Sequence, residues 1–438
     1  MRILVISDHA DPLAEIGSKE AGGQNIFVYY LIKSLARLGI HSDVFTRWDR
    51  PNKKEIVRIN HKIRIIRVKA GPKKYMPRDN FISVIKEFSE NIFGRIQKEK
   101  TAYDVIFANY WFSGIAALKL TRKNNLPVIY IFHSIGKIRF KALKQFKFQS
   151  GNYDFFRKRI EKEMEIAQKA DSIVSTSPIE KEILKKSFNI SGEKIEYIPI
   201  GIDSNIFYPV DQAKARRRIG FEDKAKLILY VGRIEWRKGL GTLLYAFKEI
   251  LEKFPRSKLL IVGGGKSRPA KKLEGAEMER LENIARELEI ESKVFFLGAK
   301  NQKELFKYYS AADICVVPSY YEPFGIVPLE SMACGTPVVA SKTGGLKFTI
   351  KDGKTGFLAK PRNYQDLAEK IFQTLKLGKK HFCQNCLQRV NENFLWNNIA
   401  RQYAEFFNQF KNYENRADPS LGGKIAAGQI RRNRAGGA

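Results

Sequence analysis

Twice along this chain, short β-branched and aromatic runs alternate with longer amphipathic stretches, and that repetition narrows the folds open to it. The first series is RILVIS (2–7), SDVFT (42–46), IRIIRV (63–68), DVIFA (104–108), VIYIF (128–132) and SIVST (172–176). The second is LILYVG (227–232), KLLIVGG (258–264), KVFFLG (293–298), DICVVPS (313–319) and PVVAS (337–341). Between them lie helical patterns such as QNIFVYYLIKSLARLG (24–39), whose final Gly is a stop signal. Strand–helix alternation argues for parallel α/β structure with ligands at the carboxyl ends of the strands. YIPIGIDSNIFYP (197–209) breaks the periodicity between the two series. The expected architecture is therefore two Rossmann-like halves, 1–205 and 206–395, with a working cleft between them. A last helix at about 396–413 is expected to pack back on the first half. The Gly/Ala-rich segment 414–438, with no periodic apolar face, reads as a disordered tail.

Composition removes some classes of function. No apolar run reaches the roughly eighteen residues needed to cross a membrane. The opening MRILVISDHA is too short for a secretory signal, and four cysteines in 438 residues do not make a disulfide framework. Both set the expectation of a cytoplasmic protein. The net charge is +32, of which the stretch 415–438, with five Lys/Arg and one Asp, supplies +4. The remaining +28 sits on the body. It fits a solvated Lys-rich surface as well as an anionic partner such as nucleic acid, lipid headgroups or acidic small molecules. No aromatic-and-glycine RNA-recognition motif accompanies the charge, so no nucleic-acid partner is expected.

The chemistry is concentrated in SYYEPFGIVPLESMACGTPVVA (319–340). Gly335 followed by Thr-Pro ends a helix, and Pro328 is tolerated only in a first turn, so that helix starts near Gly325. Glu330 then lies on the helix and Glu322 in the loop before it. The two carboxylates bracket a helix mouth whose unpaired N–H groups and dipole favour an anion.

With GRIEWRKG (232–239) upstream and YEPFGIVPLESMACGTPVVASKTGGL downstream, the chain resembles retaining nucleotide-sugar glycosyltransferases of the GT-B fold. EAGGQNIFVYYLIKSLARLGIHSDVFTR, ANYWFSG (108–114), FHSIGK (132–137) and IPIGID extend the likeness over about residues 1–413. The N-terminal motifs look most like enzymes that glycosylate sugar phosphates or inositol phosphate, such as sucrose-phosphate synthases and inositol-phosphate N-acetylglucosaminyltransferases. The resemblance implies that Arg233, Lys238 and the backbone near Phe324, Gly325, Ile326 and Val327 take the donor diphosphate. It gives Glu330 the ribose hydroxyls and Glu322 a hydroxyl of the donor sugar. Gly22 and Gly23 form a loop where backbone can approach phosphate. His133, at the end of VIYIF, is implied to lie against the donor sugar near the anomeric carbon, positioning and stabilising charge. His133 and Glu322 are thus the catalytic candidates. The implied reaction retains configuration by same-face attack, with the departing diphosphate taking the acceptor's proton.

The residues fit that chemistry independently. Charge develops on the diphosphate as the C1–O bond breaks, and preorganised donors there are usually the largest catalytic term. No Asp-x-Asp is present to chelate a divalent ion beside a diphosphate, so no metal and no cofactor are expected. GGGKS (263–267) is not a P-loop, because the first required Gly would fall at Leu260. HFCQNC (381–386) has no second ligand pair and reads as helix. The acceptor site is expected from the first half: Asn25, Tyr110, Ser134, Lys137, Arg139 and Arg159. The expected donor is a UDP-sugar, UDP-glucose first, with GDP and ADP not distinguished, and the expected acceptor a soluble sugar or cyclitol phosphate. The alternative is a peripheral glycosyltransferase on the inner face of an anionic membrane using a lipid-linked acceptor. KIRFKALKQFKFQ (137–149), with its alternating cations and apolar residues, suits either.

Overall fold

The computed structural model describes residues 1–14, 22–144, 153–221, 224–264 and 268–411. The tail 414–438, residues 145–149 of the cationic stretch, Glu20 and Ala21 of the glycine motif, and 265–267 of GGGKS lie outside the described residues.

Among the described residues the strands form two sheets, as the alternation predicts. The first comprises β1 (Arg2–Ile6), β2 (His41–Arg47), β3 (Ile56–Asn60), β4 (Ile63–Val68), β5 (Val105–Asn109), β6 (Val128–Ile131), β7 (Ser172–Ser175) and β8 (Ile195–Tyr197). Its strand order is β3-β4-β2-β1-β5-β6-β7-β8. The second comprises β9 (Leu227–Val231), β10 (Lys258–Val262), β11 (Val294–Gly298), β12 (Ile314–Val317), β13 (Val338–Ser341) and β14 (Gly356–Ala359), in the order β11-β10-β9-β12-β13-β14. All pairs are parallel except the β3–β4 hairpin at one edge. β5, β6, β7, β12 and β13 are buried along their whole length, as strands covered by helices on both faces must be. β3, β8 and β14, which the sequence reading did not single out, are edge strands, and β8 has three residues. Short or half-exposed edges give little hydrophobic pattern to detect.

Apart from the β3–β4 hairpin, the strand order reverses once in each sheet, between β1 and β5 and between β9 and β12. At such a point the following connections leave on opposite faces and open a crevice at the carboxyl ends. Both crevices face the same interdomain space. Two crossings join the halves: Ile202 pairs with Leu395 in an isolated bridge, and Gly201 packs on the Trp396 indole so closely that a Cβ there would lie 2.5 Å from its Cδ2.

The last helix, Trp396–Asn408, returns to the first half. Phe407 lies 5.3 Å from the Phe107 ring of β5, and Tyr403 packs on both Phe27 and Phe107. Phe407 is fully buried. Phe407→Ala should therefore cost about 3–5 kcal/mol of unfolding free energy in equilibrium denaturation. A loss under about 1 kcal/mol would mean this helix adds little to the first half.

Candidate active site

One cleft of about 420 Å³ runs between the two sheets. Its walls come from the loops after β1, β5 and β6 on one side and after β9 and β12 on the other. Of the residues singled out from sequence, Gly22, Gly23, Asn25, Tyr110, His133, Ser134 and Arg139 line it from the first half. Arg233, Lys238, Glu322, Phe324, Gly325, Ile326, Val327 and Glu330 line it from the second.

The helix Ile326–Ala333 begins where the glycine and proline signals place it, with Gly325 as N-cap at φ +93° and no side-chain cap on its first turn. A residue with a Cβ is strained at that φ, and the Cβ would also come within 2.7 Å of Leu346 Cδ2. Behind the loop, Gly344 and Gly345 let two backbones touch: Gly345 N donates to Glu322 O at 3.0 Å, and a Cβ on Gly344 would fall 2.0 Å from that same oxygen. Opposite, the helix Gly23–Arg37 starts from Gly22. A Cβ on Gly23 would lie only 3.3 Å from Ile326 Cδ1. Two helix N-termini thus meet across the cleft, each with a partial positive charge suited to an anion.

Along one side run the cations after β9. Lys238 Nζ donates to Glu322 Oε2 at 2.5 Å. Burial would raise the Glu322 carboxyl, but Lys238 and Arg237 outweigh it and hold the group below its usual range. Arg237, which the sequence reading passed over, also lines the cleft. Glu235 receives Arg233 at 2.8 Å and Arg237 at 2.7 Å, fixing both guanidinium groups. Burial opposes its ionisation, yet Arg237, Arg233 and Lys238 hold it down at about 2. Glu330 is buried and accepts from Tyr309 Oη at 2.6 Å. Burial pushes it up to about 7, against the lowering effects of Tyr309 and Gln302.

The opposite wall carries backbone strain. Tyr110, just past β5, has φ 79° and ψ 162°, a region essentially restricted to glycine. His133, just past β6, has φ +54° and is the centre of a three-residue turn in which Ser134 N donates to Phe132 O at 2.6 Å. Asn109 Nδ2 donates to Phe107 O, which turns its Oδ1 toward His133 Nε2 at 2.9 Å. That contact assigns the proton to Nε2 and leaves Nδ1 as an acceptor. Burial first, and then His9, push His133 down to about 3.

Several sequence expectations need correction. Lys137 is exposed and does not line the cleft, because the helix Gly136–Lys144 turns it outward. Arg159 does not line it either: it is 1% exposed, and its Nε donates to Glu163 Oε1 at 2.7 Å. It supports the wall from behind, donating to Ser134 O and lying 5.0 Å from the Tyr110 ring. Asn25 reaches the cleft, but its side chain accepts from Gly22 N and donates to Asp11 O, holding the glycine loop. Tyr321, from the other half, lines the cleft with Ser134 and was not foreseen.

His9 was also missed. It lines the cleft past β1, with Nδ1 3.1 Å from the buried Asp8 carboxylate, which in turn accepts from Ser113 Oγ. The signal was present: a His two residues beyond a strand end, the same reasoning that picked out His133.

HFCQNC falls within the helix Lys379–Asn393, as the sequence suggests. Among the described residues, no helix is long and apolar enough to cross a membrane.

Because burial lowers its pKa, His133 should stay neutral through the physiological range. An NMR titration of its ring should show no transition between pH 5 and 8. The unfolded chain protonates near pH 6.5 and the folded one near 3, so this group's contribution makes stability fall as pH drops through that window. A ring titrating near 6.5 would remove the neutral-acceptor assignment.

Two family descriptions match this chain: Glycosyltransferase Family 4 over residues 21–205 and Glycosyl transferases group 1 over residues 211–388. It is 33% identical to D-inositol 3-phosphate glycosyltransferase of Corynebacterium aurimucosum, over 86% of this chain and 88% of that protein. It is 30% identical to mannosylfructose-phosphate synthase of Agrobacterium fabrum, over 92% and 90%. Among solved structures it resembles sucrose-phosphate synthase from Thermosynechococcus elongatus at a TM-score of 0.84 and 36% identity, covering 93% of this chain and 98% of that one.

Proposed function

The chain belongs to the GT-B glycosyltransferases, and from that premise we propose a retaining, metal-independent hexosyl transfer from a nucleotide-sugar to a hydroxyl of a soluble sugar or cyclitol phosphate. UDP-glucose is the donor we favour, with UDP-N-acetylglucosamine next. The observation that carries the reading is the meeting of two helix N-termini beside Arg233, Arg237 and Lys238, flanked by Glu322 and Glu330. A diphosphate has the charge for the first group and a sugar or ribose the hydroxyls for the second. The names of the three relatives each carry a phosphorylated sugar or cyclitol, which supports the acceptor class.

Each part then has a job. Arg233 and Lys238, with the N–H groups at Ile326 and Val327, neutralise the diphosphate as the C1–O bond breaks. Glu322 holds Lys238 and takes a donor-sugar hydroxyl. Glu330 takes the ribose. His133 Nδ1, neutral and fixed by Asn109, accepts a hydroxyl near the anomeric carbon. The acceptor enters against Tyr110 and His9, with Arg139 at hand for its phosphate. Its hydroxyl attacks C1 from the face the diphosphate leaves, and the leaving phosphate oxygen takes its proton.

The first test is a thermal-shift panel of UDP, GDP and ADP with EDTA present, then with sugar phosphates added. Ligand at a hundred times its Kd adds about 2.7 kcal/mol, an easily measured shift. No shift with any nucleotide would sink the reading. In turnover assays Glu322→Ala and Lys238→Ala should each lose about 100-fold or more while melting as folded proteins. Near-normal rates would dissociate these residues from the reaction.

The Glu330 assignment carries a pH signature. Its folded pKa of about 7 lies above the ordinary 4.5, so in between the folded protein holds a proton that the unfolded chain has released. The stability this group contributes is complete below that window and is lost as pH rises through it. Nucleotide binding runs the other way, because the carboxylate is the better acceptor for ribose hydroxyls. UDP affinity should fall about tenfold from pH 8 to pH 6 by calorimetry, beyond the change in Glu330→Gln, which cannot ionise. Parallel profiles in the two proteins would contradict it.

A further inference from the structure

Tyr320 lies between Ser319 and Tyr321 in the loop after β12. Both neighbours line the cleft and Tyr320 does not, so its half-buried side chain belongs to the outer side of that loop. Its Oη lies 2.8 Å from the Oγ1 of Thr242, in the first turn of the helix Leu240–Lys253. Its ring meets the Trp236 indole at 5.1 Å and 73°, an edge-to-face arrangement that aromatic pairs favour. The Arg362 guanidinium sits 5.1 Å over the same ring. Tyr320 N also donates to Arg237 O at 2.9 Å. Close by, a Cβ on Gly239, at φ +72°, would fall 2.1 Å from Pro318 O, so the two segments touch backbone to backbone.

These contacts join the two pieces of chain that carry the charged face of the second half. The turn Trp236–Lys238, after β9, brings Arg237 and Lys238 to the cleft. The loop after β12 brings Glu322, two residues beyond Tyr320. Inside the cleft the same two pieces are joined once more, by Lys238 Nζ and Glu322 Oε2 at 2.5 Å. That inner tie is made of groups a nucleotide-sugar would claim, the lysine for phosphate and the carboxylate for a hydroxyl. An ion pair that gives its hydrogen bonds to a ligand no longer sets the spacing of the loops that carry it. A tie outside the cleft is under no such demand.

We propose that Tyr320 is a positioning residue for the donor, clasping the Lys238 turn to the Glu322 loop from outside the cleft. Ring and hydroxyl hold the loop against Trp236 and Thr242. Lysine and carboxylate therefore keep their places when their hydrogen bonds pass to phosphate and sugar. A misplacement of about 1 Å in such groups is enough to cost on the order of 100-fold in rate. The clasp rests on the donor reading, because Lys238 has to grip the diphosphate for its placement to matter, and the experiment separates the two.

Calorimetric affinities for UDP and uridine are measured in the wild type, Tyr320→Ala, Tyr320→Phe, Lys238→Ala and the double variant of Tyr320→Ala with Lys238→Ala. The UDP/uridine affinity ratio isolates the grip on the two phosphates. A purely structural role would lower the melting temperature and leave that ratio alone. The expected ratio is about three- to tenfold smaller in Tyr320→Ala, with no further effect of Tyr320→Ala once Lys238 is gone. Tyr320→Phe keeps the ring on Trp236 and loses only the hydroxyl; its expected loss of about two- to threefold carries the test if the alanine variant does not fold. In turnover, the loss should fall on the donor kcat/KM and leave the acceptor KM alone. A ratio collapsed in Lys238→Ala and unchanged in both Tyr320 variants would overturn the clasp and spare the donor site. Equal effects of Tyr320→Ala with and without Lys238 would overturn it as well. An unchanged ratio in Lys238→Ala itself would remove the donor reading, and the clasp with it.

Discussion

Helices Gly23–Arg37 and Ile326–Ala333 bring their N-termini together at the cleft, and the rest of the site answers that arrangement. Each end carries roughly half a positive charge, and Arg233, Arg237 and Lys238 add whole ones nearby. Left uncompensated, that concentration would push the two halves apart. Glu235 and Glu322 offset it. Glu235 binds two arginines from outside the cleft lining, and Glu322 binds the lysine from within it. The site can therefore stay assembled and still present more positive than negative charge. On the proposed reading, an incoming diphosphate would meet cations already held in place, which is the preorganisation that electrostatic catalysis needs.

The opposite wall reaches its rigidity by strain and packing. Two consecutive sheet neighbours, β5 and β6, are each followed closely by a residue with positive φ, Tyr110 and His133. Either conformation is costly for a residue with a side chain, on the order of 1–3 kcal/mol, and survives only where its surroundings over-determine it. Here they do. Tyr110 N is bonded to Ile131 O, its ring lies by Arg159, and His133 is tied to Asn109 and packed on Phe27. Strain placed at two adjacent strand ends, both in the cleft, is an independent mark of the working surface.

The sequence made the sheets legible because strands buried on both faces must be written in continuous apolar residues. It made the helix mouth legible because Gly325, Pro328 and Gly335 have backbone meanings that do not depend on context. The side proposed for the donor has elements that could be placed for the same reason, being built from one loop and one helix close in sequence. The other wall was harder. His9, Tyr110 and His133 meet only through tertiary structure, and no local pattern announces a positive φ at a tyrosine or a histidine. Edge strands β3, β8 and β14 carried too few buried positions to register.

Arg159 shows the limit most clearly. An arginine on an amphipathic helix looks the same in sequence whether it faces water, substrate or core. The distinguishing sign was Glu163, four residues on, where a helix brings side chains together. Most such pairs are solvated, as Lys169 and Glu165 are here. This one is buried, and replacing a buried pair by apolar residues often costs no stability at all. Its use is better sought in geometry. Glu163 accepts from Gly136 N at 2.8 Å, while Arg159 holds Ser134 O and faces Tyr110. A single ion pair thus sets three points of the wall at which the acceptor is proposed to lie. It explains why charges that never line the cleft can govern the shape of what does.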